Sequence, residues 1–290
     1  MKIKDNNLSS LLKFYKINLN DSYTDNEIMA VFDLVCNYYL GFSKSEVLIK
    51  MNERINQSEL VNLYNTCNLL KTGKPIQYIL NQAYFFDLKF KVNEYTLIPR
   101  PETEELVYLI KQTITNKVQS LNFVDIGTGS GCIPITLKKQ YENSIFCGLD
   151  ISEGAIEIAN FNAKLNNVDV NFFITDILNT NHILNLKFDC IISNPPYILK
   201  SESVDMEDIV LKFEPNLALF VDDNDPIIFY KKIIDLCLHS LSDNGYLFFE
   251  LNPFCAQDVL IYANATKLFK TVEIINDMSG KQRFLIAQKK

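Results

Sequence analysis

Leu121-Asn122-Phe123-Val124-Asp125-Ile126-Gly127-Thr128-Gly129-Ser130-Gly131 decides how this chain folds. An apolar run ends in three glycines at alternate positions, and a helical apolar pattern then continues through Leu137. Strand, glycine turn and helix in that order open a βαβ unit. Glycines allow the tight turn and leave backbone N–H groups facing a crevice at the carboxyl end of the strand. The spacing is Gly-x-Gly-x-Gly, not the Gly-x-Gly-x-x-Gly of dinucleotide sites, where a pyrophosphate sits on the helix N-terminus. The loop therefore suits a nucleoside ligand that needs room more than anion binding.

Working outward, strand and helix keep alternating. Ile145–Leu149 reads as a second strand ending at Asp150, followed by a helix over 153–165 with Ser152 as its cap. Val170–Ile174 and Phe188–Ser193 are the third and fourth strands, Asp225–Leu241 a helix, and Tyr246–Leu251 the fifth strand. Val272–Ile275 and Phe284–Ala287 flank a polar turn and are expected to close the sheet as an antiparallel hairpin. The pattern predicts an α/β domain over 99–290: a seven-stranded, Rossmann-like sheet with helices on both faces.

The N-terminal side differs. Residues 1–75 are expected to form a small helical bundle, with Leu8, Leu11, Leu12 and Tyr15 on one face and Ile28, Val31, Phe32 and Val35 on another. Leu60, Leu63, Tyr64, Cys67 and Leu70 mark a further helix. Thr24 with Glu27, and Ser43 with Glu46, have capping-box spacing. Residues 76–98 carry strand-like runs at Tyr78–Leu80, Tyr84–Phe86 and Leu88–Val92, with turn signals at Asn81-Gln82 and Asn93-Glu94, so they are expected to be a β-hairpin linker. Pro101 suits the first turn of a helix, and Glu102, Glu104 and Glu105 suit its positive end.

Composition narrows the function classes. Among 290 residues, 48% are hydrophobic and 22% charged, which is a globular profile. No apolar run reaches the roughly 18–20 residues of a membrane helix, and Met1–Asn7 lacks the apolar core of a signal peptide, so a cytoplasmic protein is expected. The seven cysteines form no C-x-x-C pair and are expected to be buried thiols. Two histidines, His182 and His239, do not suggest a metal site. Residues 1–75 hold nine Lys/Arg against eight Asp/Glu, whereas the remainder holds 19 against 27. An acidic catalytic region is a poor match for phosphates, so no direct nucleic-acid binding is expected.

Asp150 lies nineteen residues past Gly131, where a carboxylate can accept both hydroxyls of a ribose. Asp176 follows the third strand and can accept from an adenine amino group, with Ile177 against the ring. Asp125 orders the loop or meets an amino group of the ligand. The fourth strand runs into Asn194-Pro195-Pro196-Tyr197. The prolines stiffen that turn and remove two backbone donors, leaving carbonyls to face a ligand. The Asn194 side-chain oxygen and the Pro195 carbonyl can accept both N–H bonds of an –NH2 group, with Tyr197 against its flat face. Glycine loop and Asn-Pro-Pro-Tyr together predict methyl transfer from S-adenosylmethionine to nitrogen. A dehydrogenase would use the loop and Asp150 but leave Asn194–Tyr197 idle; a non-catalytic binding module would not depend on Asn194.

Gly73-Lys74-Pro75-Ile76-Gln77-Tyr78, Leu97-Ile98-Pro99-Arg100-Pro101-Glu102-Thr103-Glu104, the glycine loop, Ser193–Tyr197 and Phe213-Glu214-Pro215 occur in one order. In this the chain resembles the peptide chain release factor N5-glutamine methyltransferases, the PrmC/HemK family. By motif the resemblance covers about residues 70–290. It implies S-adenosyl-L-methionine as cofactor and S-adenosyl-L-homocysteine as product, held by Gly127, Thr128, Gly129, Ser130, Gly131, Asp150, Asp176, Ile177 and Asn194. It implies Asn194, Pro195, Pro196 and Tyr197 as the catalytic, substrate-holding turn and Arg100 at the pocket entrance. The implied partners are release factors 1 and 2, methylated on the glutamine of Gly-Gly-Gln, with residues 1–75 recognising the substrate. A glutamine methyltransferase of ribosomal protein L3 shares these motifs, and a nucleic-acid amino methyltransferase is the next alternative. Two positions depart from the family pattern: Ile177 stands where an aromatic is common, and Glu250 precedes Leu251-Asn252-Pro253 instead of His-Gly.

Overall fold

The structure is a computed structural model and describes residues 5–115, 119–199, 201 and 212–290. Residues 1–4, the head of the expected bundle, lie outside it. The chain divides into two units, 1–82 and 83–290. The segment 76–98 is thus shared between the units and forms none of its own.

The first unit holds α1 (Leu8–Leu19), α2 (Asp25–Leu40), α3 (Lys44–Ile49), α4 (Gln57–Lys71) and α5 (Ile76–Leu80). Both expected capping boxes form, at Thr24/Glu27 and Ser43/Glu46, and Asn56/Glu59 adds a third. The apolar faces converge on Leu8, Leu11, Phe32, Val35 and Leu63, all fully buried. Tyr15 takes part as well, its hydroxyl donating to the Leu63 carbonyl at 2.7 Å. Tyr78–Leu80 is part of α5 rather than a strand. Ile76 and Ile79 pack on the bundle core, and that burial overrides the β preference of the local sequence.

The second unit opens with a hairpin of β1 (Ala83–Phe85) and β2 (Leu88–Phe90). Its turn is Phe86-Asp87, at φ 48° and 60°, not either of the Asn pairs. Two positive φ values match the twist of a two-residue hairpin. Phe86 tolerates the conformation because its N–H donates to Glu104 at 2.7 Å and its ring lies under Lys111. Then follow α6 (Pro101–Thr113), β3 (Asn122–Ile126), α7 (Cys132–Lys138), β4 (Ile145–Asp150), α8 (Glu153–Leu165), β5 (Asn171–Ile174) and β6 (Phe188–Ser193). The remaining elements are β7 (Ile198–Leu199), α9 (Asn216–Leu219), β8 (Phe220–Val221), α10 (Ile228–Ser240), β9 (Leu241–Glu250), α11 (Ala256–Ala265), β10 (Phe269–Asn276) and β11 (Gln282–Lys289). The sequence reading assigns nothing to α11, whose first turn has no side-chain cap; its signal is the buried face of Ala256, Val259 and Ala263.

Seven strands form the sheet in the order β10-β11-β9-β6-β3-β4-β5. β11 runs antiparallel to both neighbours, and the β9-β6-β3-β4-β5 pairs are parallel. The expected seven-stranded α/β sheet is thus present. Along β3, Val124 and Ile126 face a core shared with Ile233 and Ile234 of α10 and Val259 of α11. Phe123 faces the other core, with Leu106 and Val107 of α6 and Ile135 of α7. Helices therefore cover both faces, which is why the parallel strands read as nearly unbroken apolar runs. All seven cysteines are buried, and none is in a disulfide among the described residues. Among the described residues, no helix is long and apolar enough to cross a membrane.

One buried polar residue ties the hairpin to the glycine loop. Asn162 on α8 is fully buried, donates to the carbonyls of Lys91 and Ser130 at 2.9 Å each, and accepts from the Lys91 N–H at 2.7 Å. Asn162→Leu removes all three bonds and strands their partners. It is expected to lower unfolding free energy by about 2–4 kcal/mol, read from urea denaturation.

Candidate active site

Topology places the site. Of the seven strands in this sheet β3 comes first in the chain; β4 and β5 add on one side and β6 and β9 on the other. The switch point between β3 and β6 opens a crevice at the carboxyl ends of the strands. Ile126 pairs in register with Ser193, and the Ser193 hydroxyl donates to the Ile126 carbonyl at 2.7 Å. That register sets Gly127 beside Asn194: a Cβ added at Gly127 would lie 3.8 Å from the Asn194 carbonyl oxygen. The two motifs, 67 residues apart, meet here.

A cavity of about 370 Å³ lies at this point, within the usual small-molecule range of roughly 300–1,000 Å³. Gly127, Thr128, Gly129, Ser130, Asp150, Asp176, Ile177, Asn194, Pro195, Pro196 and Arg100 all line it. Gly131 does not. It caps α7 at φ 76°, and a Cβ there would press on Ile135, Phe172 and Ala159 at 3.0–3.2 Å. Its role is to let the loop close onto α8.

Asp150 holds the loop in shape. Its Oδ2 accepts from the Gly129 N–H at 2.8 Å and its Oδ1 from the Ser152 N–H at 2.9 Å. Burial pushes its carboxyl above the ordinary range, and those N–H groups oppose the shift. Asp176 accepts from the Leu178 N–H at 3.0 Å and from the Asn179 amide at 2.6 Å, capping a short 3₁₀ turn that presents Ile177 to the cavity.

Asp125 lies behind the loop, not on the cavity wall. It is 1% exposed, and among the described residues neither carboxylate oxygen has a hydrogen-bond partner. Burial pushes it up to about 7; the nearby Thr128 hydroxyl opposes the shift without completing a hydrogen bond. A carboxyl raised on folding binds more protons native than unfolded, so its contribution to stability falls as pH rises from about 4 to about 7. Asp125→Asn is therefore expected to raise the melting temperature at pH 8 and to change it little at pH 4, read by calorimetry.

The Asn-Pro-Pro-Tyr turn separates into two functions. Asn194, Pro195 and Pro196 face the cavity. Tyr197 does not. Its ring packs on the core around β9 and α10, its hydroxyl donates to Glu250 Oε1 at 3.4 Å, and its carbonyl accepts from Asn252 at 2.9 Å. Tyr197 anchors the turn where the sequence placed it against a ligand. The physical reason is its ring, which gains more from the core than from an open crevice.

Thr103 and Glu250 complete the polar floor. Asn194 Nδ2 donates to Thr103 Oγ1 at 3.3 Å, and Thr103 Oγ1 donates to Glu250 Oε2 at 2.8 Å. Glu250 is 1% exposed, and burial pushes it up to about 7, with Thr103, Arg283 and Tyr197 opposing and Glu102 adding to the rise. Arg100 pairs with the buried Glu214, joining the Pro-Arg-Pro and Phe-Glu-Pro segments. Sequence reasoning also missed Tyr95, whose ring lies against α8 so closely that a Cβ on Gly154 would sit 2.5 Å from it. Phe229 and Ile233 of α10 complete the apolar wall.

These residues fit S-adenosylmethionine. Glycines make the loop, the Asp150 carboxylate lines the cavity beside it, and an apolar slot lies beside Ile177 and Phe229. When bound, it supplies a methyl group on a sulfonium, ready for transfer to a nucleophile.

The Methyltransferase small domain family matches residues 106–213. A release factor glutamine methyltransferase of Flavobacterium psychrophilum is 39% identical over 91% of this chain and 92% of its own length. That of Bacteroides thetaiotaomicron is 35% identical over 97% of this chain and 100% of its own. Among solved structures, human methyltransferase 10 domain containing protein aligns with a TM-score of 0.52 at 18% identity, covering 79% of this chain and 96% of that one, a likeness of fold. With relatives this similar along nearly their whole length, the chain belongs to the release factor glutamine methyltransferase family.

Proposed function

We propose that this enzyme transfers a methyl group from S-adenosylmethionine to the side-chain amide nitrogen of the glutamine in the Gly-Gly-Gln motif of peptide chain release factors 1 and 2. The observation that carries the reading is Asn194. Its NH2 is committed to Thr103, and among the described residues its oxygen accepts nothing, so an acceptor stands at the cavity wall beside the cofactor loop. With the Pro195 carbonyl it matches the two N–H bonds of a primary amide. An amide nitrogen is a poor nucleophile because its lone pair is delocalised, so holding it in line is the main help available.

The first unit, residues 1–82, is suited to dock another part of the release factor, since a single glutamine offers little surface for recognition. Ribosomal protein L3 is the competing substrate. Incubating the enzyme with labelled S-adenosylmethionine and equimolar release factor 1, release factor 2 and L3 separates the two. Label is expected in both release factors; label confined to L3 would overturn the substrate assignment.

A further inference from the structure

A turn of 180° about the last side-chain torsion makes an asparagine present either oxygen or NH2 to its ligand, and the two recognise opposite chemistry. In this chain that choice is made outside the Asn-Pro-Pro-Tyr turn. Glu250 closes β9 with both carboxylate oxygens engaged, Oε2 by Thr103 at 2.8 Å and Oε1 by Tyr197 at 3.4 Å. Thr103 has one O–H, which it donates to Glu250. What remains on the threonine oxygen are its two lone pairs, one of which accepts from Asn194 Nδ2 at 3.3 Å.

Around the pair stand Arg283 of β11, engaged with Asp277 at 3.2 Å, and Glu102 of α6. Tyr230 of α10 donates to the Glu250 carbonyl at 3.1 Å. Thr103 and Glu250 are 4% and 1% exposed, so water does not compete for these bonds.

We propose that Thr103 and Glu250 are positioning residues that set the polarity of Asn194: the carboxylate accepts the threonine O–H, the threonine oxygen accepts from the asparagine NH2, and the asparagine oxygen is left to accept an N–H from the substrate. The pocket then selects a glutamine amide over a glutamate carboxylate, whose oxygens would meet the Asn194 oxygen with no proton between them. The identity of that substrate rests on the reading above; the relay itself does not.

The test uses the full chain. Thr103→Val keeps the volume and removes the hydroxyl, and is expected to lower kcat for release factor methylation by roughly 10- to 100-fold with little change in cofactor affinity. Thr103→Ser, which restores the hydroxyl, recovers most of that loss. A structural role alone would not alter discrimination, so each enzyme is also inhibited with release factor carrying Gly-Gly-Gln or Gly-Gly-Glu. The preference for the glutamine form is expected in the wild type and to shrink about 10-fold in Thr103→Val.

The relay has a second readout free of substrate: the side-chain 15N–1H2 resonances of Asn194, assigned by their loss in Asn194→Ala. They are expected to shift in Thr103→Val and in Glu250→Gln, whose single carbonyl cannot accept from both Thr103 and Tyr197, and to return in Thr103→Ser. Resonances, kcat and glutamine preference that stay at wild-type values in Thr103→Val would overturn the relay. A wild-type enzyme that leaves release factor unlabelled sinks the substrate reading alone, and the resonances then decide the relay.

Discussion

Asn194→Ala is expected to cut methyl transfer by about 10²–10³-fold with the fold retained and cofactor affinity within a few-fold of the wild type. The size follows from what the side chain does. It supplies a fixed acceptor for an amide N–H at a place where misplacement by an ångström is worth about 10²-fold. The small structural cost follows from what the side chain holds. Among the described residues its one side-chain bond goes to Thr103, which keeps its bond to Glu250 when Asn194 is truncated. No buried donor is orphaned, so stability should fall by about 1 kcal/mol. Single-turnover transfer from labelled S-adenosylmethionine, beside calorimetric binding of S-adenosylhomocysteine, separates the two effects. A near-normal rate would remove Asn194 from the chemistry and with it the proposed amide site.

Asp150→Ala should act in the opposite way, on binding and not on the transfer step. Its carboxylate fixes the Gly129 and Ser152 N–H groups at 2.8 and 2.9 Å and lines the cavity, where we propose that it holds a ribose. Hydrogen bonds to a charged group are worth about 1.5–3 kcal/mol each. Losing both the loop restraint and the ribose contact is expected to raise the Kd for S-adenosylmethionine by about 10²–10³-fold. Asp150→Asn, which keeps one acceptor oxygen, should fall between. At saturating cofactor the rate should largely recover. Unchanged affinity in the alanine variant would show that the ribose is held elsewhere and that the loop keeps its shape without Asp150.

The strands and most of the cavity wall could be read from the chain because their signals are local. Leu121–Leu137 carries strand, glycine turn and helix in one unbroken stretch, and Asn194–Pro196 follow an apolar run directly. What could not be read is carried by contacts distant in sequence. Phe86-Asp87 turns a hairpin without the usual residues because Glu104 and Lys111, on another element, support it. Tyr197 looks like a ligand contact in its motif and is a core anchor in space, since only the fold shows Glu250 and the β9 core beside it. Thr103 was in view within a quoted motif, yet nothing nearby in sequence says that its hydroxyl lies between Asn194, 91 residues away, and Glu250, 147 residues away. A buried Glu at the carboxyl end of a strand adjoining the Asn-Pro-Pro-Tyr strand is the signal that would have found it.

The acidic balance of the second part of the chain bears on the partner. Phosphate recognition depends on clustered Lys and Arg, whereas among the described residues the cavity wall carries one arginine, and Arg100 is already paired with Glu214.

The position of the methyl group tests the central claim most directly. Release factor methylated by this enzyme with isotopically labelled S-adenosylmethionine would be digested and sequenced by tandem mass spectrometry, beside a form whose Gly-Gly-Gln glutamine is alanine. One labelled methyl on the amide nitrogen of that glutamine, and none in the alanine form, is the expected result. Label on any other residue, or label that persists in the alanine form, would contradict it.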